Sequence, residues 1–249
     1  MRSTSPHSAA VRRLQEQRER LDELPIDEPV RGVRAVGDDQ TRFAIKVANR
    51  SFGPVHAKDL DTLGVVVGKP LSQDARGRLE DALAREAARG DALRLLGTRA
   101  RAARDLLNRL ARKGHDPTPA AEALDRLAAV GLINDEGLAE TRAQALARAK
   151  AAGPRAAEHK LRAQGIDSAL AGKAVREAFA DIDLVERATA AARKRARALS
   201  PTLDEPTRRR RLYGFLARRG YDHPTCMKAT TAALADDEHA GEPETERGS

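Results

Sequence analysis

The sequence predicts a mainly helical fold: an elongated tandem array of three three-helix units, preceded by a small β-containing cap. Three observations carry this. A heptapeptide recurs, as LARKGHD at 110–116, LRAQGID at 161–167 and LARRGYD at 216–222, at offsets of 51 and 55 residues. A recurrence at that period marks one structural unit copied along the chain, and such units stack into a body that binds along its length. Hydrophobic residues make up 41% of the chain but aromatic ones only 2%, so the cores must be filled by Ala, Leu and Val. Ala, Leu, Arg and Glu are strong helix formers, and small side chains let helices approach closely. Finally, from Ser72 onward the apolar residues follow the period of an amphipathic helix.

Residues 1–40 are polar and charged, and read as a disordered leader containing at most a frayed helix over RRLQEQRERLDEL. Phe43, Ile45 and Val47 then alternate with Ala44, Lys46 and Ala48, the period of a half-buried strand. ANRSFG supplies turn residues, so Phe52 and Val55 begin a second strand. LGVVVG is a short apolar run punctuated by Gly64 and Gly68. A linker helix capped by Ser72 runs to Arg89, with Leu79 and Leu83 on one face, and completes a cap at 41–90.

The three-helix units are expected at 91–132, 133–181 and 182–235. In the first, Ala103, Leu106, Leu107, Leu110 and Ala111 form an apolar stripe, and Gly114 stops the helix. Asp116 caps the next helix, with Pro117 at its first position and Leu124, Leu127 and Ala128 inward. In the second, Asn134 caps a helix carrying Leu138 and Leu146, Gly165 stops the middle helix, and Asp167 caps the last, with Val175, Ala178 and Phe179 inward. The third has a basic helix at 184–199, a second helix over PTRRRRLYGFLARRG and a third after Asp222. Each heptapeptide is thus a helix end, a glycine stop and a new N-cap. An acidic disordered tail is expected at 236–249.

The formal net charge is +8 and unevenly spread: residues 92–235 hold 28 Lys and Arg against 16 Asp and Glu, whereas 236–249 hold six acids and one Arg. An excess of that kind suits a polyanionic partner; the alternative is arginine used as a general solubilising residue. Cys226 is the only cysteine, which excludes an internal disulfide framework and a Cys-based zinc site. Met227 follows it in a helical stretch, and a packed thiol is the expected role. The N-terminal residues lack the apolar core of a signal peptide, and the longest apolar run is too short to span a bilayer. A soluble, cytoplasmic monomer is expected.

No catalytic constellation, metal site or cofactor site emerges. The histidines at 7, 56, 115, 159, 223 and 239 show no ligand spacing, and His115 and His223 fall at unit corners, where capping or solvation explains them. Gly64 and Gly68 are followed by Lys69-Pro70 rather than the Lys-Ser/Thr of a phosphate loop. Asp135 and Glu136 suit the first turn of a helix. The candidate binding residues are basic: Arg99, Arg101 and Arg104 in the first unit, Arg155 in the second, and Arg193, Lys194, Arg195, Arg197, Arg208, Arg209, Arg210, Arg211, Arg218 and Arg219 in the third. Only Tyr213, Phe215 and Tyr221 lie near them, so base stacking is limited and phosphate contact is the fitting mode.

The chain resembles the RecX family of bacterial regulatory proteins. GLINDEGLAE at 131–140 resembles the family's turn into its second unit, GPRAAEHKLRAQGID at 153–167 its Gly-Pro segment, and LYGFLARRGYD at 212–222 its last-repeat Phe-Leu-x-Arg-Arg-Gly motif. RARAARDLLNRLARKG at 99–114 and LGVVVGKPLS at 63–72 add to the likeness. Ala102, Asp105 and Leu138 depart from it, standing where the family has Ser, Glu and an aromatic residue. The resemblance implies a non-enzymatic regulator with no cofactor, lying in the groove of a RecA–DNA filament and damping recombination and the SOS response. The alternative is a direct, non-specific binder of single- or double-stranded DNA phosphates. A further expectation is that the acidic tail folds back on the third unit.

Overall fold

The computed structural model describes residues 8–38, 40–149, 152–200 and 202–239. The chain divides into two compact bodies, residues 1–134 and 135–249.

The first body begins with α1 (Ala9–Asp22), followed by β1 (Val30–Ala35), β2 (Arg42–Val47), β3 (Arg50–His56), α2 (Ala57–Leu63) and α3 (Gln73–Leu96). The strands form one antiparallel sheet in the order β1-β2-β3, with Val33 opposite Ile45 and Ile45 opposite Phe52. Ile45, Val47, Phe52 and Val55 pack on Val30, Leu63, Leu71, Leu79 and Leu83, and also on Leu14, Leu21 and Leu24. The leader is therefore folded across its described residues, against expectation. The large apolar residues of α1, Val11, Leu14 and Leu21, are all buried, and Ser8 caps the helix by accepting the Val11 N–H. The buried Arg76 closes its far end, donating to the carbonyls of Leu21, Leu24 and Pro25 at 3.3, 2.9 and 2.7 Å. A helix end that would otherwise leave carbonyls unmet is thereby satisfied.

The helix expected to stop at Arg89 runs on through Gly90 to Leu96, because residues on both sides are buried. Its N-terminal half belongs to the cap. Its C-terminal half packs Ala88 and Ala92 against Leu106 and Leu110 of α4 (Ala103–Arg112) and Ala120, Ala123, Leu124 and Leu127 of α5 (Pro117–Ala129). Ala111 and Ala128 are exposed, although spacing put them on the apolar stripe. Ala102 occupies the N-cap of α4 without a side-chain bond, the consequence of having no hydroxyl there.

Two buried carboxylates tie the first body together. Asp59 of α2, only 2% exposed, receives Arg126 of α5 through both oxygens (2.7 and 2.8 Å) and Arg85 of α3 at 3.0 Å. Burial pushes its carboxyl up, but the Arg126 hydrogen bonds and the two guanidinium charges outweigh that and hold it below the usual carboxylate range. Asp91 of α3 meets His115 Nε2 at 2.8 Å. His115 is therefore buried against a carboxylate, neither a solvated nor a capping residue.

The second body contains α6 (Asp135–Arg148), α7 (Pro154–Ala163), α8 (Ser168–Phe179), α9 (Leu184–Ala196), α10 (Glu205–Arg218) and α11 (His223–His239). Ala139, Ala143 and Ala147 form the buried face of α6, while Leu138 and Leu146, expected inward, are only half-buried. The first four residues of the acidic tail are helical, since α11 runs through His239; residues 240–249 lie outside the described residues.

The heptapeptide corner has the same backbone three times. Gly114, Gly165 and Gly220 take left-handed φ values of 91°, 88° and 83°. The residue after each donates its N–H to the helix carbonyl five positions back: His115 to Leu110, Ile166 to Leu161, Tyr221 to Leu216. This is the Schellman closure, and all three residues after the glycine are buried. Asp167 and Asp222 then cap the next helix. Asp116 sits at the N-cap position but gives no capping bond and pairs with Arg18 of α1 at 3.0 Å.

At one corner the second and third units lock through backbone alone. The N–H groups of Gly153 and Arg155, opening α7, donate to the carbonyls of Arg219 and Gly220, closing α10, at 2.7 and 3.1 Å. A Cβ on Gly220 would overlap the Ala156 nitrogen, and one on Gly153 would lie 2.7 Å from the Gly220 oxygen.

These contacts set the stability expected of three variants. Gly220→Ala combines left-handed strain with a displaced backbone and should cost roughly 3 kcal/mol or more in urea unfolding. Gly131→Ala, also left-handed (φ 76°) but with open space around it, should cost about 1 kcal/mol. Asp59→Asn leaves Arg126 without its carboxylate partner and Arg85 with Glu122 alone, and should cost about 2 kcal/mol at pH 7. Because the folded Asp59 carboxyl is held below its ordinary value of 3.8, its contribution is complete above that value and lost as pH falls through the folded one. The gap between wild type and variant should therefore narrow in acid.

Candidate functional site

The α7–α10 lock leaves an open groove of about 880 Å³ between α6, α9 and α10. Ala147, Ile182, Ala190, Ala191 and Ala198 give it an apolar floor, and Arg148, Arg187, Lys194, Arg195 and Arg219 line it with positive charge. Two acids border it, but the Asp183 carboxylate is used at the N-cap of α9, where it accepts the N–H groups of Val185 and Glu186 at 2.9 Å.

Phe215 organises the charge. Its ring has the Arg219 guanidinium 4.5 Å from the centroid and Arg195 at 6.0 Å. Cation–π contact orients a guanidinium without neutralising it, leaving its planar N–H fork for an anion. Arg187 is fixed differently: it donates to the Ala147 carbonyl at the end of α6, and its guanidinium lies 5.8 Å from the Phe179 centroid.

The sequence-predicted residues divide by place. Lys194, Arg195 and Arg219 line the groove, and Arg193 and Arg197 are exposed on the same helix. Arg218 is exposed at the end of α10, and Arg155 is exposed on the first turn of α7 beside the lock. Arg209 and Arg210 line a second, smaller groove of about 380 Å³ with Tyr213, His223 and Met227, where the Tyr213 hydroxyl meets His223 Nδ1 at 2.8 Å. Arg209 also pairs with Glu205, Arg208 is half-buried, and Arg211 is exposed. Arg99 and Arg104 are exposed in the first body.

Arg101 stands apart from the exposed cations. Its side chain is 9% exposed, bonded to Asp105 at 3.0 Å and to the Leu95 carbonyl at 3.3 Å, so it clamps the α3–α4 turn. Arg148 and Arg187 were missed. Arg187 had a signal, lying seven residues before Lys194 on one helical face; Arg148 had none. Phe215 is half-buried, packing against the core of the third unit while it lines the groove. Cys226 is buried, its thiol pushed up by burial and 3.6 Å from the Tyr221 carbonyl, as expected of a packed thiol. Among the described residues no cluster of three or more His, Cys, Asp or Glu could hold a metal ion, and no helix is long and apolar enough to cross a membrane.

Fold and groove define a mainly helical protein with a cationic groove in its second body. Residues 88–127 match the first three-helix domain of RecX and residues 181–230 the third. The regulatory protein RecX of Mycolicibacterium vanbaalenii is 35% identical over 176 residues, covering 68% of this chain and 94% of that protein. The corresponding protein of Mycobacterium leprae is 39% identical over 153 residues, covering 60% and 87%. A crystal structure of regulatory protein RecX superposes with a TM-score of 0.61 at 18% identity, over 80% of this chain and 96% of that one. The chain belongs to the RecX family of regulatory proteins.

The two kinds of arginine should separate experimentally. Arg101→Ala should lower stability by about 1–2 kcal/mol and leave the affinity for a 30-residue oligothymidine unchanged. Arg197→Ala should leave stability unchanged and reduce the log–log salt slope of that binding by about 0.7.

Proposed function

We propose that this chain binds the RecA–DNA nucleoprotein filament and restrains RecA, lowering its ATPase, strand exchange and SOS induction. Membership of a family of regulatory proteins supports the regulatory role. The single observation that carries the mode of contact is the groove in which Phe215 holds Arg195 and Arg219 beside Lys194. A filament groove offers DNA phosphates next to acidic protein surface, and oriented guanidinium forks suit both. A monomer lodged there, in the cytoplasm, would obstruct the incoming duplex and the subunit movement that accompanies ATP hydrolysis.

The test is the single-strand-DNA-dependent ATPase of RecA, titrated with this protein below stoichiometry. ATPase activity should fall at substoichiometric ratios. A variant carrying Lys194→Glu, Arg195→Glu and Arg219→Glu, or one reversing Arg208, Arg209, Arg210 and Arg211, should need at least about tenfold more protein. The reason is that a charge-assisted hydrogen bond to phosphate or carboxylate contributes about 1.5 kcal/mol or more, and each variant removes several. Activity that falls only when the protein is abundant enough to coat the DNA would favour the second reading, direct DNA binding. The exposed cations of α9 and α10 support that reading too, and salt separates the two. A pure DNA binder with six to ten phosphate contacts should lose roughly 10³- to 10⁵-fold in affinity between 50 and 200 mM salt, and a filament binder less.

A further inference from the structure

The position at which the acidic C-terminal segment leaves the fold points to its use. Ala188 and Ala192 of α9 pack with Cys226, Ala229 and Ala233 of α11, whereas Ala196, at the end of α9, clusters with Leu234 of α11 and Leu212 of α10. The two helices therefore run side by side in the same direction and finish together, against the N-terminal half of α10. That end carries the densest positive charge in the chain: Lys194 and Arg195 on α9, Arg197 at its C-cap, and Arg209, Arg210 and Arg211 on α10. Among the described residues no carboxylate ion-pairs with Lys194, Arg197 or Arg211. The last turn of α11 brings Asp236, Asp237 and Glu238 to the same end, and Glu242, Glu244 and Glu246 follow in sequence.

We infer that the segment 236–249 is an intramolecular anion that occupies the basic end of the third three-helix unit and must be displaced before a polyanion binds there. Charge complementarity argues for this occupant: a segment with six acids and one arginine departs beside that cluster of cations. Reach does not limit it, since the ten residues after His239 can extend about 35 Å, several interhelical spacings. Tethering gives the segment an effective concentration on the order of millimolar, so weak, salt-screened contacts suffice. The inference deepens the proposed reading and rests on it for the identity of the polyanion, because the covered surface adjoins the groove through Lys194 and Arg195.

The experiment compares three full-length chains: wild type, one with Asp236→Asn, Asp237→Asn, Glu238→Gln, Glu242→Gln, Glu244→Gln and Glu246→Gln, and a charge-matched control neutralising the exposed Glu16, Asp22, Asp27, Asp38, Asp61 and Asp81. Backbone amide spectra of the free proteins should differ between wild type and the tail variant at residues 194–197 and 209–211. Affinity for a 30-residue oligothymidine at 50 mM salt should rise tenfold or more in the tail variant and less than about threefold in the control, the gap closing toward 200 mM. Equal gains in both variants would mean that net charge alone acts, and would overturn the inference. So would amide changes confined to residues beyond 231. If no chain binds the oligonucleotide, the DNA reading fails, while the free-protein spectra still decide whether the segment docks.

Discussion

The second body is organised by a junction with no side chains in it, where the start of α7 meets the end of α10. A helix end leaves carbonyls without partners, and a helix start leaves N–H groups in the same state. Here each supplies the other: Gly153 and Arg155 donate, Arg219 and Gly220 accept. The opposed partial charges of the two termini add to the attraction. Contact this close requires glycine on both sides, since a Cβ at either would penetrate the other strand of backbone. The lock also fixes the site. It holds Arg219 by its carbonyl, one turn after Phe215, so that the guanidinium falls on the ring.

The first body solves the same problem of unmet polar groups with buried charge. Arg76 answers three carbonyls at the end of α1, Asp59 answers Arg85 and Arg126, and Asp91 answers Arg94 and Lys113. Such pairs contribute little net stability compared with well-packed apolar side chains, but removing one partner leaves a buried charge alone, which is costly. Their effect is therefore to make one arrangement much better than its neighbours. A three-stranded sheet and a short polar helix, each too small to fold alone, gain a defined place on α3.

What could be read from the sequence was local and what could not was not. The corner heptapeptide announces a Schellman stop because its grammar lies within seven residues, and the three units follow from it. The β2–β3 hairpin shows in the alternation of Phe43, Ile45 and Val47. The folded leader was invisible because α1 has few apolar residues and is held by Arg76, more than fifty positions away. The passage of α3 through Gly90 was hidden because local propensity there is overruled by burial on both sides. The same limit governs the site. Arginines look alike in a sequence, yet Arg101 is spent on a turn while Arg195 is held on a ring. Nothing in the neighbourhood of Arg148 shows that it borders a groove with Arg219.

The scarcity of aromatic residues, a constraint on the cores, also shapes the chemistry of the surface. Alanine-lined faces such as that of α6 let helices come close, and Ala147, Ala190, Ala191 and Ala198 leave a shallow apolar floor rather than a deep pocket. A floor of that kind offers no hydrogen-bonding edge to a base and one aromatic ring to stack on, and that ring is already flanked by two arginines. The alanine floor itself therefore supplies no selectivity among bases. Under the proposed reading affinity would come from fixed positive charge, which falls with salt and responds to any competing anion. If the groove takes a polyanion as proposed, its control would be electrostatic too, and the six acids after Ala235 are the part of the chain suited to supply it.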